Sequence, residues 1–250
     1  MAPVIALLGE FGDAIDFIFR ARESRAGGAE IGGSENLTLL WEHLKVTAAA
    51  MAVGIGVGLP LGLVLGHTGK GSFLAISASN IGRAVPSVAL IAFFVAFFPA
   101  TSAFVNVTLA LALLAIPPIL TNAYVGVQQV SRETVDAARG MGMSGPEVVR
   151  SVELPLALPL IFGGIKTSTV NVIATATIAP LVGVLTLGDP IISGSVHGRA
   201  GQIGASIVVA ALAVGAEVGL SAVQRAVTPK GVKLEKRAPR TLKRRIQTVP

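Results

Sequence analysis

The chain has 250 residues, of which 52% are hydrophobic and only 14% charged, with a formal net charge of +6. A soluble domain carries about 25% charged residues to cover its surface, so this composition excludes a soluble globular enzyme. The same hydrophobicity excludes an intrinsically disordered chain. The lack of cysteine removes a disulfide framework, a thiolate zinc site, an iron–sulfur cluster and a cysteine nucleophile.

Met1 to Phe19 is apolar except for Glu10, Asp13 and Asp16, which recur every three residues and mark one wet face. That pattern suits an interfacial helix better than a crossing one, and the lack of a basic start argues against a secretory signal. Arg20 to Ser34, with its glycine pairs, reads as a flexible connection. Residues 1–45 are therefore an N-terminal extracytoplasmic or interfacial segment, with a sixth span here as the alternative.

A spanning helix needs about 20 mostly apolar residues. Val46 to Gly69 supplies the first. Ala84 to Ser131 contains no Asp, Glu, Lys or Arg and has room for two, joined by a turn at Phe98–Ser102 because helices stop before proline. Thr167 to Gly188 supplies a fourth, and Ala200 to Val227, interrupted only by Glu217 and Arg225, a fifth. The expected fold is an all-α, polytopic integral membrane bundle of about five transmembrane helices, centred near residues 56, 88, 113, 175 and 212. Residues 46–227 are the membrane domain and 228–250 a basic tail.

Lys and Arg in short loops set orientation. Lys70 and Arg83, then Arg132, Arg139, Arg150 and Lys166, then Lys230 to Arg245 all fall in alternate connections. This places those segments in the cytoplasm, the N-terminus outside and the C-terminus inside. The positive excess thus reports topology and contact with the lipid bilayer, and no nucleic-acid partner is expected.

Within the spans, Gly54, Gly58 and Gly62 repeat at i and i+4, a small-residue strip along which another backbone can approach. Thr121, Asn122, Asn171, Thr175 and Thr177 are polar residues that could line a transport path or bond helix carbonyls. The run Gly66 to Ser72 does not fit a phosphate-binding loop, because two residues rather than four separate its first glycines and Gly71 follows the lysine. His43, His67 and His197 lack metal-ligand spacing, so no metal is expected.

The longest charged insertion, 131–159, carries the sharpest pattern. Its first helix starts after Ser131 with Glu133 at the positive end of the dipole and ends at Gly140-Met-Gly142. A second starts at Ser144, with Pro146 in its first turn and Glu147 forming a capping box, and is expected to end at Pro155. Val148, Val149 and Val152 form an apolar face that this protein's own helices or a soluble partner must cover.

Asp136, Ala137 and Ala138 are followed by three residues to Gly142, nine to Val152, and Leu154-Pro155. This resembles the signature loop of the permease subunits of binding-protein-dependent ABC importers, Glu-Ala-Ala, three residues, Gly, nine residues, Ile, any residue, Leu-Pro. The departures are Asp136 for Glu and Val152 for Ile. The resemblance implies a type I ABC importer permease fold, in which this loop is the coupling helix that docks on a separate cytoplasmic ATP-binding subunit. In that role Ala137 and Ala138 allow close approach, Gly140 and Gly142 permit the turn, and Val148, Val149 and Val152 anchor. It further implies two copies of the ATP-binding subunit, a second permease, identical or similar, and an extracytoplasmic substrate-binding protein. No cofactor is expected on this chain, ATP being bound by the partner, and the chain itself is non-catalytic.

The stretches Ile81 to Ile91, Ile116 to Val127, Asp136 to Met143 and Val152 to Ile161 look like the osmoprotectant branch, which imports glycine betaine, carnitine, choline and proline betaine. Branches importing amino acids share parts of this likeness. The rival from another class is an ion-gradient-driven carrier.

Overall fold

The computed structural model describes residues 2–28, 30–70, 73, 77, 84–99 and 101–229, with side chains from Gly9 onward. The basic tail from Lys230 and the orientation marker Arg83 lie outside the described residues. In chain order the helices are α1 (Ala2–Phe19), α2 (Ser34–Thr68), α3 (Ser87–Phe97), α4 (Ala103–Gln128), α5 (Arg132–Gly140), α6 (Gly145–Val148), α7 (Leu154–Ala176), α8 (Asp189–Ile192) and α9 (Gly194–Val227). Among the described residues, four helical runs are long and apolar enough to cross a membrane: Ser34–Thr68, Ala103–Gln128, Gly145–Ala176 and Gly194–Val227. The span expected near residue 88 is represented by α3, which is apolar but only 11 residues long.

The centre of the bundle is α2 against α4. Ideal Cβ atoms on Gly54, Gly58, Gly62 and Gly66 would meet, in order, Ala115, Ile119, Ala123 and Val127. Both series rise together, so the two helices run parallel at glycine-to-backbone distance. This is the packing that small residues permit where lipid offers no hydrophobic drive. The third partner, α7, runs antiparallel to α4: Gly126 faces Ala157, Gly164 faces Pro118 and Asn122, and Ser168 Oγ donates to the Ala115 carbonyl at 2.8 Å. His43, fully buried, ties α2 to α7 by donating from Nε2 to the Ile173 carbonyl at 3.1 Å.

Proline is absorbed inside three of these helices, at Pro60, Pro117 with Pro118, and Pro159. Asn122 Nδ2 donates to the Pro118 carbonyl one turn earlier at 2.8 Å. After α3 the Thr101 N–H bonds the Phe98 carbonyl at 3.1 Å, and Ser102 Oγ caps α4 by accepting from the Val105 N–H.

Two stretches depart from the sequence expectation. Arg20 to Ser34 is not merely a flexible connection: Ala21–Glu23 and Glu30–Gly32 (β1 and β2) form an antiparallel hairpin. Its turn holds Gly27 and Gly28 at φ +81° and +76°, which glycine adopts at no steric cost. The hairpin is fixed to α9 by the Arg25 N–H to Val196 carbonyl bond at 3.0 Å, while α1 crosses α9 at Gly201 and Gly204. The helix carrying the first span accordingly begins at Ser34, earlier than Val46.

The second departure is the register of the fourth span, expected over Thr167–Gly188. The helix starts at Leu154 and stops at Ala176; the charge-free segment after it folds back, with Thr186 and Leu187 fully buried. Thr186 Oγ donates to the Ala176 carbonyl at 2.9 Å, and Gly188 packs so closely on the Thr177 carbonyl that no Cβ fits. Lys166 is therefore not a loop residue. It lies inside α7, where Nζ donates to Gln224 Oε1 at 2.9 Å and Ser221 Oγ at 3.2 Å on α9. Glu217, on the same helix, is exposed.

Candidate functional site

The loop between α4 and α7 is built from local signals. Ser131 caps α5, its Oγ accepting from the Thr134 N–H at 3.3 Å. The helix closes with Met143 N–H to the Ala138 carbonyl (3.2 Å) and Gly142 N–H to the Arg139 carbonyl (2.9 Å). This double closure requires a left-handed residue after the helix, and Gly142 supplies it at φ +88°. Ser144 then opens α6, donating to Glu147 Oε2 from its hydroxyl at 2.6 Å and from its backbone N–H at 2.7 Å. Those two bonds, side chain first, hold the Glu147 carboxyl below the usual carboxylate range. Glu147 lies outside the spanning part of its helix: the run Gly145–Ala176 has 32 residues, and about 20 cross a bilayer.

Pro155 does not end the second helix. The chain continues through a π turn, Val149–Glu153, in which the Leu154 N–H bonds the Val149 carbonyl, and α7 follows without a break. Pro155 sits in the first turn of α7, where its missing N–H is tolerated, and the wider turn absorbs the mismatch. The loop is thus rigidly continuous with a membrane helix at one end.

Asp136, Ala137, Gly140 and Gly142 are exposed, while Ala138 is buried. Leu154, Pro155, Val149 and Val152 are half-buried, and Val148 is fully buried. Val148 is therefore covered by this chain's own helices and is not available as an outward anchor. The apolar residue offered instead is Met141, 74% exposed at the tip between Gly140 and Gly142. Sequence reasoning passed over it because it interrupts no periodicity. Its position between two glycines was the available signal.

Sequence reasoning also missed the tie beneath the loop. His67 Nδ1, at the end of α2, donates to Glu153 Oε2 at 2.8 Å, with the glutamate side chain only 5% exposed. Glu153 occupies the freely varying position of the signature pattern, so the motif gave no reason to single it out.

The five path candidates do not converge within the protomer. Thr121 and Asn122 are half-buried on α4, Asn122 lying level with Gly163 and Gly164 of α7. Asn171 and Thr175 lie further along α7, Thr175 about 16 Å beyond Gly164 at 1.5 Å per residue. Asn171 is exposed, and Thr177, just past the helix, donates to the Ala174 carbonyl at 2.6 Å.

Comparison with known proteins gives a consistent likeness. The family described as "Binding-protein-dependent transport system inner membrane component" matches residues 54–230. The chain is 37% identical over 204 residues to the glycine betaine/carnitine/choline transport system permease protein OpuCB of Bacillus subtilis, covering 81% of this chain and 93% of that protein. It is 36% identical to the choline transport system permease protein OpuBB of the same organism, over the same shares, and 34% identical to the carnitine transport permease protein OpuCB of Listeria monocytogenes, covering 80% and 92%. Among solved structures, a chain of the inward-facing MetNI methionine ABC transporter superposes with a TM-score of 0.67 at 22% identity, over 78% of this chain and 96% of that one. At that identity the likeness concerns the fold.

Proposed function

Because the chain belongs to the family of inner-membrane components of binding-protein-dependent transport systems, we propose that it forms the translocation path for a small osmoprotectant of the glycine betaine, carnitine or choline type. The observation that carries the coupling is the capped, glycine-closed loop 131–159, which sits at the common end of α2, α4 and α7 and merges with α7 through the π turn. A cytoplasmic ATP-binding subunit docks on its exposed residues Asp136, Ala137, Gly140, Met141 and Gly142. Val149 and Val152 flank the contact and Val148, Ala138, Leu154 and Pro155 fix the loop to the bundle. ATP is bound and hydrolysed by that partner, in two copies, and this chain is non-catalytic.

A second permease, identical or similar, pairs with this one about a two-fold axis. The exposed Thr167, Asn171 and Ala174 on α7 support that pairing, since an amide facing lipid is disfavoured. Thr175 adjoins this face, and the path runs between the two permeases. An extracytoplasmic binding protein supplies most of the selectivity, since a chain with one Trp and one Tyr is poorly equipped to cage a quaternary ammonium. The segment 1–45 lies on the extracytoplasmic side, the membrane domain is 46–227, and the tail 228–250 is cytoplasmic.

The test is uptake into proteoliposomes by the assembled transporter. ATP-dependent uptake of at least one of glycine betaine, carnitine and choline is expected, competed by the others. Uptake driven by an ion gradient without the ATP-binding subunit, or ATP-driven uptake of amino acids alone, would overturn it. In the same assay Met141→Asp should lower uptake about tenfold, as a charge placed in a buried interface does, without moving the thermal midpoint of the isolated permease. Unchanged uptake would remove Met141 from the docking surface.

A further inference from the structure

We propose that His67 is a positioning residue: bonded to Glu153 and lying beside Gly145, it delivers movement of the loop 131–159 to the α2–α4 pair. The proposal rests on the reading of that loop as the docking site for the ATP-binding subunit.

The imidazole lies beside one end of the short helical run at the base of the loop and is bonded to the other. At one end a Cβ built on Gly145 would lie 3.4 Å from His67 Nε2. At the other, His67 Nδ1 donates to Glu153 Oε2 at 2.8 Å. Glu153 closes the π turn and is 4% exposed, and a carboxylate so buried needs a partner because its charged form is otherwise costly. Charge-assisted bonds of this kind are short and directional, so the loop base and the end of α2 hold a fixed relation.

On its other side, His67 is joined to an end of α2 that cannot move independently of α4. Gln128 Nε2 donates to the Gly66 carbonyl at 2.5 Å, and a Cβ on Gly66 would fall 2.7 Å from Val127 Cβ. The chain of contact therefore runs from the loop through one imidazole to two membrane helices packed in parallel. The loop is also continuous in the chain with α4 and α7, and α7 packs on both α4 and α2; what His67 adds is a direct side-chain tie from the loop base to the end of α2.

A purely structural contact and a coupling contact differ in uptake per ATP hydrolysed. In the assembled transporter, His67→Ala/Glu153→Gln breaks the contact while leaving no charge buried without a partner; His67→Gln/Glu153→Gln remakes it as an amide pair. The first is expected to lower uptake per ATP about tenfold, within the usual span of site-to-site coupling, and the second to restore at least half of it. A ratio within about twofold of wild type for the first variant, or an equal loss in both, overturns the proposal. Failure of the first variant to assemble while the second couples normally assigns the contact to folding and also overturns it. Absence of ATP-driven uptake by the wild-type complex would instead count against the proposed function.

Discussion

Gly62→Leu should strongly destabilise the pairing of α2 with α4, lowering stability by at least about 1–3 kcal/mol, the usual cost of overpacking. A Cβ at this position would lie 2.6 Å from both Ala123 Cβ and the Leu120 carbonyl oxygen. The second of these is backbone, so α4 cannot yield by changing a rotamer. Between membrane helices the attraction is dispersion across closely fitted surfaces rather than expulsion of water. Pushing α2 away from α4 therefore removes the favourable term along the whole stripe from Gly54 to Gly66. Gly58, where the nearest atom is the Ile116 carbonyl at 3.1 Å, should tolerate alanine better than Gly62. Gly56, with nothing within 4 Å of its Cβ position, should accept alanine with a gain of about 0.5–1 kcal/mol from helix propensity. Thermal unfolding of the three variants in detergent tests this order. A midpoint for Gly62→Leu equal to that of Gly56→Ala would mean that the α2–α4 contact does not hold the bundle together.

The features legible in the sequence are those written in local chemistry. The loop helices were found because Ser131, Gly142, Ser144 and Glu147 are capping signals that act within four residues. The α2 stripe was found because helical periodicity alone puts Gly54, Gly58 and Gly62 on one face. What could not be read is set by partners distant in sequence. The segment after Ala176 is as free of charge as a span, yet Ala179, Val184, Thr186 and Leu187 are buried in protein while Leu181 and Leu185 are exposed, and hydropathy does not distinguish burial in protein from burial in lipid. Lys166 looked like a loop residue since its partners Ser221 and Gln224 lie more than fifty positions away. Pro155 looked like a helix end because a π turn leaves no compositional mark.

The same distinction explains the candidate site. The spacing from Asp136 to Pro155 identifies the family loop, but not which of its apolar residues face outward. Val148 faces in because the capping box and the His67–Glu153 contact fix the roll of α6 and the π turn against α2. Met141 faces out because the closure of α5 through Gly142 turns the chain away from the bundle at that point. Which loop residues remain exposed is thus decided by contacts that stabilise the protomer.

Gly142→Val should abolish ATP-driven uptake, by about tenfold or more, with the protein still present in the membrane at the wild-type level. Gly142 sits at φ +88° with nothing within 4 Å of its Cβ position, so an added Cβ meets no crowding from the rest of the chain. The cost is backbone strain of about 1–2 kcal/mol for an L-residue in the left-handed region, greater for a β-branched one. It is relieved by opening the closure of α5 on Arg139 and Ala138, which moves Met141 and the exposed face of α5 relative to α6. The spanning helices are untouched, and this separates the effect from that of Gly62→Leu. Asparagine tolerates the left-handed conformation, so Gly142→Asn should keep the turn and most of the uptake. If the valine variant transports at the wild-type rate, the geometry of this turn plays no part in coupling. If asparagine is as damaging as valine, the requirement is for an uncluttered docking surface at Gly142 rather than for its backbone conformation.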